Sequence, residues 1–238
     1  LHPLSSSHAM LPSIDLHIHS QFSPCAENVT MLDDARVAVE KGLQLVAITD
    51  HGTVRHPAWL NKYLKELERV KEVFGDKLTI LSGMEVDIIE GGKLAVSREI
   101  IKSLEIIVAS IHVVPVGVGI IEYWRKSLLK AIKGGYVKVL GHPTDIGWKK
   151  IAPPVDYVLE VLDEAREAEV AIEINFHHKD PHLSFLKSAV ERKVKLVPNS
   201  DAHNLSEIGM RKWHLEQIKI VCSQPDSLNW LKIEDLLT

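Results

Sequence analysis

Residues 14–19 read Ile14-Asp15-Leu16-His17-Ile18-His19, and the rest of the chain is best read outward from them. Strict alternation places Ile14, Leu16 and Ile18 on one face of a strand and Asp15, His17 and His19 on the other. Two imidazoles two residues apart on one strand face can reach a single metal ion, although so short a motif also occurs by chance.

The flanking chain repeats one pattern. Thr30, with Asp33 three residues on, caps a helix whose apolar face is expected to carry Leu32, Ala35 and Val39 and which Gly42 ends. Residues 45–49 form an apolar strand that runs into Asp50-His51-Gly52, followed by helical spacing from Leu60 to Phe74. Residues 78–86 are a strand carrying Glu85, and Ser97 opens a short helix. Strands over 106–110 and 137–140 lead to His112 and to His142-Pro143, with a helix between them that Gly134-Gly135 closes. A helix after Pro153-Pro154, a strand over 170–174, a helix through Leu183, Leu186 and Val190, and a strand over 193–198 lead to Asp201 and His203. Residues 207–220 are expected to be helical, and 228–237 to form a last helix.

Seven short, almost continuously apolar strands alternating with helices imply a parallel sheet covered on both faces, either a barrel or an open doubly wound sheet. With 238 residues, 45% hydrophobic and 25% charged, and no Pro/Gly/Ser-rich linker, a single α/β domain is expected. Residues 1–10 read as a tag or disordered start, with Met10 a candidate natural beginning. A net charge of −4 without a basic stripe argues against a nucleic-acid binder, and no apolar run reaches the ~20 residues of a membrane span. Two cysteines, Cys25 and Cys222, without CxxC spacing, favour a reducing cytoplasm. Oligomeric state leaves no readable trace.

The polar residues fall at strand ends: His17 and His19 on the first strand, His51 after the second, Glu85 on the third, His112 and His142 after the fourth and fifth, Asp201 and His203 after the seventh. In a parallel barrel these positions share one face. Any of them alone has an ordinary structural explanation, but six imidazoles and two carboxylates packed together need a partner, and metal ions supply one. Nitrogen and carboxylate donors suit Zn, Mn or Fe. Eight donors exceed one tetrahedral ion; with Glu85 bridging, two or three divalent ions can clamp a phosphoryl oxygen.

Asp15-Leu16-His17-Ile18-His19-Ser20, Ile48-Thr49-Asp50-His51-Gly52, Gly83-Met84-Glu85, Ser110-Ile111-His112, Gly141-His142-Pro143, Glu173-Ile174-Asn175 and Asn199-Ser200-Asp201-Ala202-His203 resemble, in order, the motifs of the PHP (polymerase and histidinol phosphatase) superfamily, nearest to stand-alone YcdX-like phosphoesterases. The resemblance runs from about residue 11 to near the C-terminus, so that 11–238 would be one PHP domain. It implies a distorted, TIM-barrel-like (βα)7 barrel with a multinuclear metal centre that hydrolyses phosphoesters. Carried over, the first site is His17, His19, Glu85 and Asp201; Glu85 bridges to a second site completed by His112 and His142; His51 and His203 belong to a third. Cys25 stands where the family often has another histidine, and a thiolate there is a zinc ligand. Asp15 and Asp50, beside ligands, are placed to orient imidazoles through hydrogen bonds.

The activity so implied is hydrolysis of a small phosphomonoester by a metal-bound hydroxide, with Asp201 or His203 as proton-transfer group. A PHP-type nuclease or proofreading module and a non-catalytic, metal-stabilised interaction module are the competing readings; an amidohydrolase is weaker, lacking a well-placed lysine. Arg55, Lys149, Lys179 and Arg211 are basic residues that can meet a substrate phosphate, but none stands out, and the substrate-binding residues stay open. His177 and His178 follow strand six and either line the bowl or lie in an exposed loop. His56, His182 and His214 read as ordinary surface or helix residues.

Overall fold

The computed structural model describes residues 11–224 and 228–237, so the expectation for residues 1–10 lies outside it. Strands and helices alternate as expected: β1 (Ile14–Ile18), α1 (Met31–Glu40), β2 (Leu45–Ile48), a two-residue β3 (His51–Gly52), α2 (Leu60–Phe74), β4 (Thr79–Ile89), β5 (Lys93–Leu94), α3 (Arg98–Ser103), β6 (Ile106–Ser110) and α4 (Ile120–Lys133). There follow β7 (Val139–Leu140), β8 (Asp145–Ile146), β9 (Lys149–Lys150), α5 (Val155–Glu167), β10 (Ala171–Asn175), α6 (Leu183–Glu191), β11 (Leu196–Asn199) and α7 (Lys212–Val221). Seven of the strands run parallel in the order β1-β2-β4-β6-β7-β10-β11.

The two edges of this sheet meet. Leu16 N–H donates to Asn199 Oδ1 (2.8 Å), and beyond the end of β11 His19 N–H donates to the Ala202 carbonyl (3.0 Å) while Ala202 N–H donates to the His17 carbonyl (3.3 Å). The sheet is thus a nearly closed seven-stranded barrel wrapped by helices. Its floor is an apolar plug, with Ile14 and Leu16, Leu45 and Ala47, Leu81, Ile106 and Val108, Val139, Ala171 and Val197 contributed by all seven strands, and Leu231 added from the C-terminal segment. Two further apolar layers fill the space between strands and helices, around Trp124, Leu162 and Phe185 on one side and Met31, Tyr63 and Leu67 on the other. Each such fully buried side chain contributes roughly 1.5–3 kcal/mol. Trp124 also donates its indole N–H to the Pro143 carbonyl (2.7 Å), which fixes the loop after His142.

Several local expectations need correction. The alternation of β1 breaks: Asp15 pairs with Val46 but Ile18 with Ile48, so one extra residue stands opposite Ala47. This bulge puts Leu16 in the barrel floor while Ile18 packs outward against α1. The Thr49 hydroxyl bridges the irregularity, accepting from Ile18 N–H (3.2 Å) and donating to the Leu16 carbonyl (3.4 Å). On α1 it is Met31, Asp34, Ala35, Val37 and Ala38 that are buried, and Leu32 is exposed, because the helix turns its Met31 edge to the sheet. The helix expected from 207 begins only at Lys212, after turns through which Glu207 and Gly209 bond the site and β1. The segment expected as a last helix is extended at first, pairing Leu231 N–H with the Leu196 carbonyl (2.9 Å), and only 233–235 form a 3-10 turn. His214 does lie on a helix but is buried, its Nε2–H shared between the Ile174 and Asn199 carbonyls at 2.8 and 3.0 Å.

Candidate metal centre

Above the apolar floor the inward positions turn polar. His17, His19, Glu85, His142, Glu173, Asn175, Asn199 and Asp201 are all essentially inaccessible to solvent, and His51, His112 and His203 stand partly open above them. Alternation explains why: Leu81 and Glu85, Ala171 and Glu173, and Val197 and Asn199 share the inner face of their strands. Gly141 continues the inner face beyond Val139, and the position takes glycine because a Cβ there would lie 2.2 Å from Ser110 Oγ.

Most of the rings are held from behind. His17 Nδ1 donates to Glu173 Oε1 (2.8 Å), His112 Nδ1 to Asp87 Oδ1 (2.6 Å), His142 Nδ1 to the Asp145 carbonyl (2.9 Å) and His203 Nδ1 to the Asp201 carbonyl (2.8 Å). Since these partners only accept, Nδ1 keeps its proton and each ring turns its other nitrogen, Nε2, into the bowl as the one free to give a lone pair to a cation once its own proton is displaced. His19 is held through a relay: Ser23 Oγ donates to Asp50 Oδ1 (2.6 Å) and therefore accepts from His19 Nδ1 (3.0 Å). His51 is reversed, with Nδ1 2.8 Å from Glu85 Oε2.

The inward atoms form two nests. His17 Nε2 lies 3.3 Å from both Glu85 Oε2 and Asp201 Oδ1, and His19 Nε2 lies 3.0 Å from Asp201 Oδ1 and 3.6 Å from Glu85 Oε2. The other Glu85 oxygen, Oε1, lies 3.1 Å from His142 Nε2 and 3.3 Å from His112 Nε2. Donors about 2.0–2.2 Å from a tetrahedral ion stand roughly 3.3 Å apart. His17 Nε2 is buried without a hydrogen-bond partner, a costly arrangement that coordination would relieve. His19, His51 and His203 form a further three-nitrogen cluster. Two of the residues in these nests have left-handed backbone, His142 with φ +23° and Asp201 with φ +51°, which is strain held at the site by its surroundings.

The electrostatics agree with a cation site. Burial opposes ionisation of Glu85 and Asp201, yet the surrounding imidazoles hold both carboxyls well below their usual range. Burial and the neighbouring His51 and His17 push His19 down to about 3, so it is a neutral donor. Against their own burial, His51 and His112 are pushed up to about 11 and about 10, chiefly by the Glu85 charge. That protonation marks the negative potential that divalent ions neutralise.

The expected site residues therefore converge, with two qualifications. Cys25 sits on an exposed loop outside the three-histidine cluster, though its thiol, which burial would raise, is drawn down to about 7 by hydrogen bonds with His203 and His51. Asp50 supports His19 as described, whereas Asp15 accepts from the backbone N–H of Ser200 (3.0 Å), His17 and Gly209 (3.4 Å each) and so ties β1 to the segment after β11. Sequence reading missed Glu173 as a site residue. Its carboxylate accepts from His17 Nδ1, His142 N–H, Asn175 Nδ2 and Asn199 Nδ2, all at 2.7–2.8 Å. Its inward parity with Ala171 was the available signal. His177 and His178 both flank the bowl: His178 stacks on His142 (centroids 4.2 Å) and His177 on His203 (4.0 Å) while bonding Glu207 (2.8 Å). Of the basic candidates, Arg211 bonds the Pro12 carbonyl (2.6 Å) and Lys179 folds over Phe176; Arg55 and Lys149 are exposed.

The PHP domain family matches residues 15–177. The chain belongs to this family. It is 34% identical over 216 residues to a protein of Thermoanaerobacter sp. (strain X514) named "probable phosphatase", covering 87% of this chain and 85% of that one. It is 30% identical over 203 residues to the DNA polymerase/3'-5' exonuclease PolX of Bacillus subtilis, which covers 80% of this chain but 34% of PolX. Among solved structures, the histidinol phosphate phosphatase of Lactococcus lactis, complexed with Zn, L-histidinol and phosphate, superposes with a TM-score of 0.65 at 19% identity, over 93% of this chain and 96% of that chain. Its fold is the barrel found here. Among the described residues, no helix of this PHP protein is long and apolar enough to cross a membrane.

Proposed function

We propose that the chain is a metal-dependent phosphoesterase acting on a small phosphomonoester. The observation that carries this reading is the division of Glu85, whose Oε2 faces His17 and His19, with His51 Nδ1 also against it, while Oε1 faces His112 and His142. A carboxylate divided in this way is suited to bridge two cations. His17, His19, Glu85 and Asp201 would hold one ion, Glu85, His112 and His142 a second, and His51, His203 and Cys25 a third; zinc, manganese and iron all suit these donors. Divalent ions so held supply the charge that neutralises phosphate oxygens and makes coordinated water acidic enough to act as nucleophile.

The protein residues do the rest. Glu173, Asp87, Asp50 and the Asp145 carbonyl aim the rings, so the donor geometry exists before substrate arrives. Asn175 Nδ2 donates to Asp201 Oδ2 (3.0 Å), holding Oδ1 toward His17 and His19. His203 Nε2 and Asp201 are the groups at which a proton can reach the leaving oxygen. An Nε2 that ligates an ion has no proton to give, so metal counting separates the two roles of His203. The functional unit is taken to span 11–238, a reading supported at its C-terminal end by β11, Asp201 and His203, which lie beyond residue 177; the two unpaired cysteines favour a reducing, cytoplasmic setting.

Metal-loaded protein assayed on a phosphomonoester panel should show turnover that a chelator abolishes and added zinc or manganese restores. No turnover with all sites filled would remove the phosphoesterase reading and leave a metal-stabilised interaction module. The similarity to PolX favours a second reading as a diesterase; faster cleavage of oligonucleotides than of every monoester would establish it, against the expectation from a net charge of −4.

A further inference from the structure

The hairpin formed by β8 and β9 displays an aromatic side chain that neither the core nor the donor nests use. Asp145 pairs with Lys150 and Ile146 with Lys149, leaving Gly147-Trp148 as a two-residue turn. Both turn residues have positive φ, +54° and +63°, the backbone of a type I′ turn whose second position ordinarily takes glycine. A tryptophan there carries a conformational cost. Burial does not offset it, because Trp148 is 78% exposed.

The hairpin is firmly held. Gly147 N–H donates to the Ile111 carbonyl (3.1 Å), and the Asp145 carboxylate bonds His178 Nδ1 (3.0 Å) and pairs with Lys150 (3.3 Å). The indole stacks against His178 (centroids 5.7 Å, 28° between planes), and His178 stacks on His142 (4.2 Å, 22°). Three rings thus run from the second donor nest to the rim. Beside them lies the loop after His112: a Cβ at Gly147 would touch Val114, and Val113 and Val116 are exposed. This rim offers the exposed indole face and the neighbouring apolar side chains of Val113 and Val116 to a bound ring.

We propose that Trp148 determines specificity by stacking on the leaving group, and that the substrate is a phosphomonoester bearing a planar aromatic ring, a nucleoside or aryl monophosphate. This deepens, and rests on, the phosphoesterase reading. The phosphoryl group would lie over Glu85 and Asp201 with the ring against the indole, a contact that favours aromatic over aliphatic esters.

The test compares metal-loaded wild type, Trp148→Ala and Trp148→Phe on phenyl phosphate, adenosine monophosphate and glycerol phosphate, each substrate judged against its own wild-type value. Trp148→Ala should raise KM about ten-fold for the two aromatic esters, leave kcat nearly unchanged and leave glycerol phosphate unaffected. Trp148→Phe should recover most of the loss. Adenosine monophosphate should also change the fluorescence difference between wild type and Trp148→Phe, and glycerol phosphate should not. Equal effects on all three substrates would overturn the proposal, since Trp148 would then only support His178; so would a change of oligomeric state with unaltered KM. If wild type turns over none of the three, the phosphoesterase reading has failed, and the fluorescence difference alone decides: a response to the aromatic ester supports stacking on Trp148, and none overturns it.

Discussion

Glu85 is the residue on which both donor nests depend. Glu85→Gln keeps the shape but replaces one oxygen with an amide nitrogen that donates and cannot ligate. Elemental analysis should show loss from both nests, and turnover should fall more than about 100-fold. Cys25 makes a narrower case: if its thiolate completes the third site, Cys25→Ala should lower metal content by about one ion per chain and leave the other nests filled. Full metal content with full activity would make it a rim residue. His214 belongs to stability instead of chemistry. Burial pushes its pKa from 6.5 down to about 4, so below pH 6.5 the unfolded chain takes up a proton that the folded protein refuses. Its contribution is complete above pH 6.5 and is lost as pH falls toward 4, a difference of about 3 kcal/mol. Denaturant titrations of wild type and His214→Gln across this range should show the wild type losing more stability than the variant as pH drops.

The β1 bulge is an element-scale device with a chemical purpose. A regular strand would send Leu16 and His17 to opposite faces, whereas the extra residue lets Leu16 fill the barrel floor and His17 reach Glu85. Thr49 sustains it through two hydrogen bonds to β1. Thr49→Val conserves volume but leaves Ile18 N–H and the Leu16 carbonyl without that partner, at a cost of about 1–3 kcal/mol. The ring of His17 should lose its aim as well, so metal affinity should drop roughly 10–100-fold, read by competition with a chromophoric chelator. A fall in melting temperature with unchanged metal affinity would show that the bulge serves only folding.

At the scale of the molecule, the floor and the bowl are opposite ends of one barrel. Leu231 closes the floor from the C-terminal segment and is fully buried against residues from the strands. Leu231→Ala should cost about 2–5 kcal/mol in urea unfolding while metal stoichiometry holds, because no donor touches it. The alternation of apolar strands with amphipathic helices, and the placing of His17, His19, His51, Glu85, His112, His142, Asp201 and His203 at strand ends, were legible in the sequence because periodicity and position along a strand are local properties. The parallel barrel turns that linear pattern into one bowl. The bulge at Leu16–His17, the four partners that Glu173 gathers beyond its readable inward parity, the burial of His214 and the place of Trp148 were not legible. Each depends on pairing register or on contact between residues far apart in the chain, such as Glu173 with His17 or His214 with Asn199, and only the closed barrel brings those groups within hydrogen-bonding distance. The sequence by itself determined which donors this protein possesses and at which end of its strands they stand; the tertiary structure decided which way each ring faces and how Glu85 divides its oxygens, because orientation is set by partners that chain order does not place side by side.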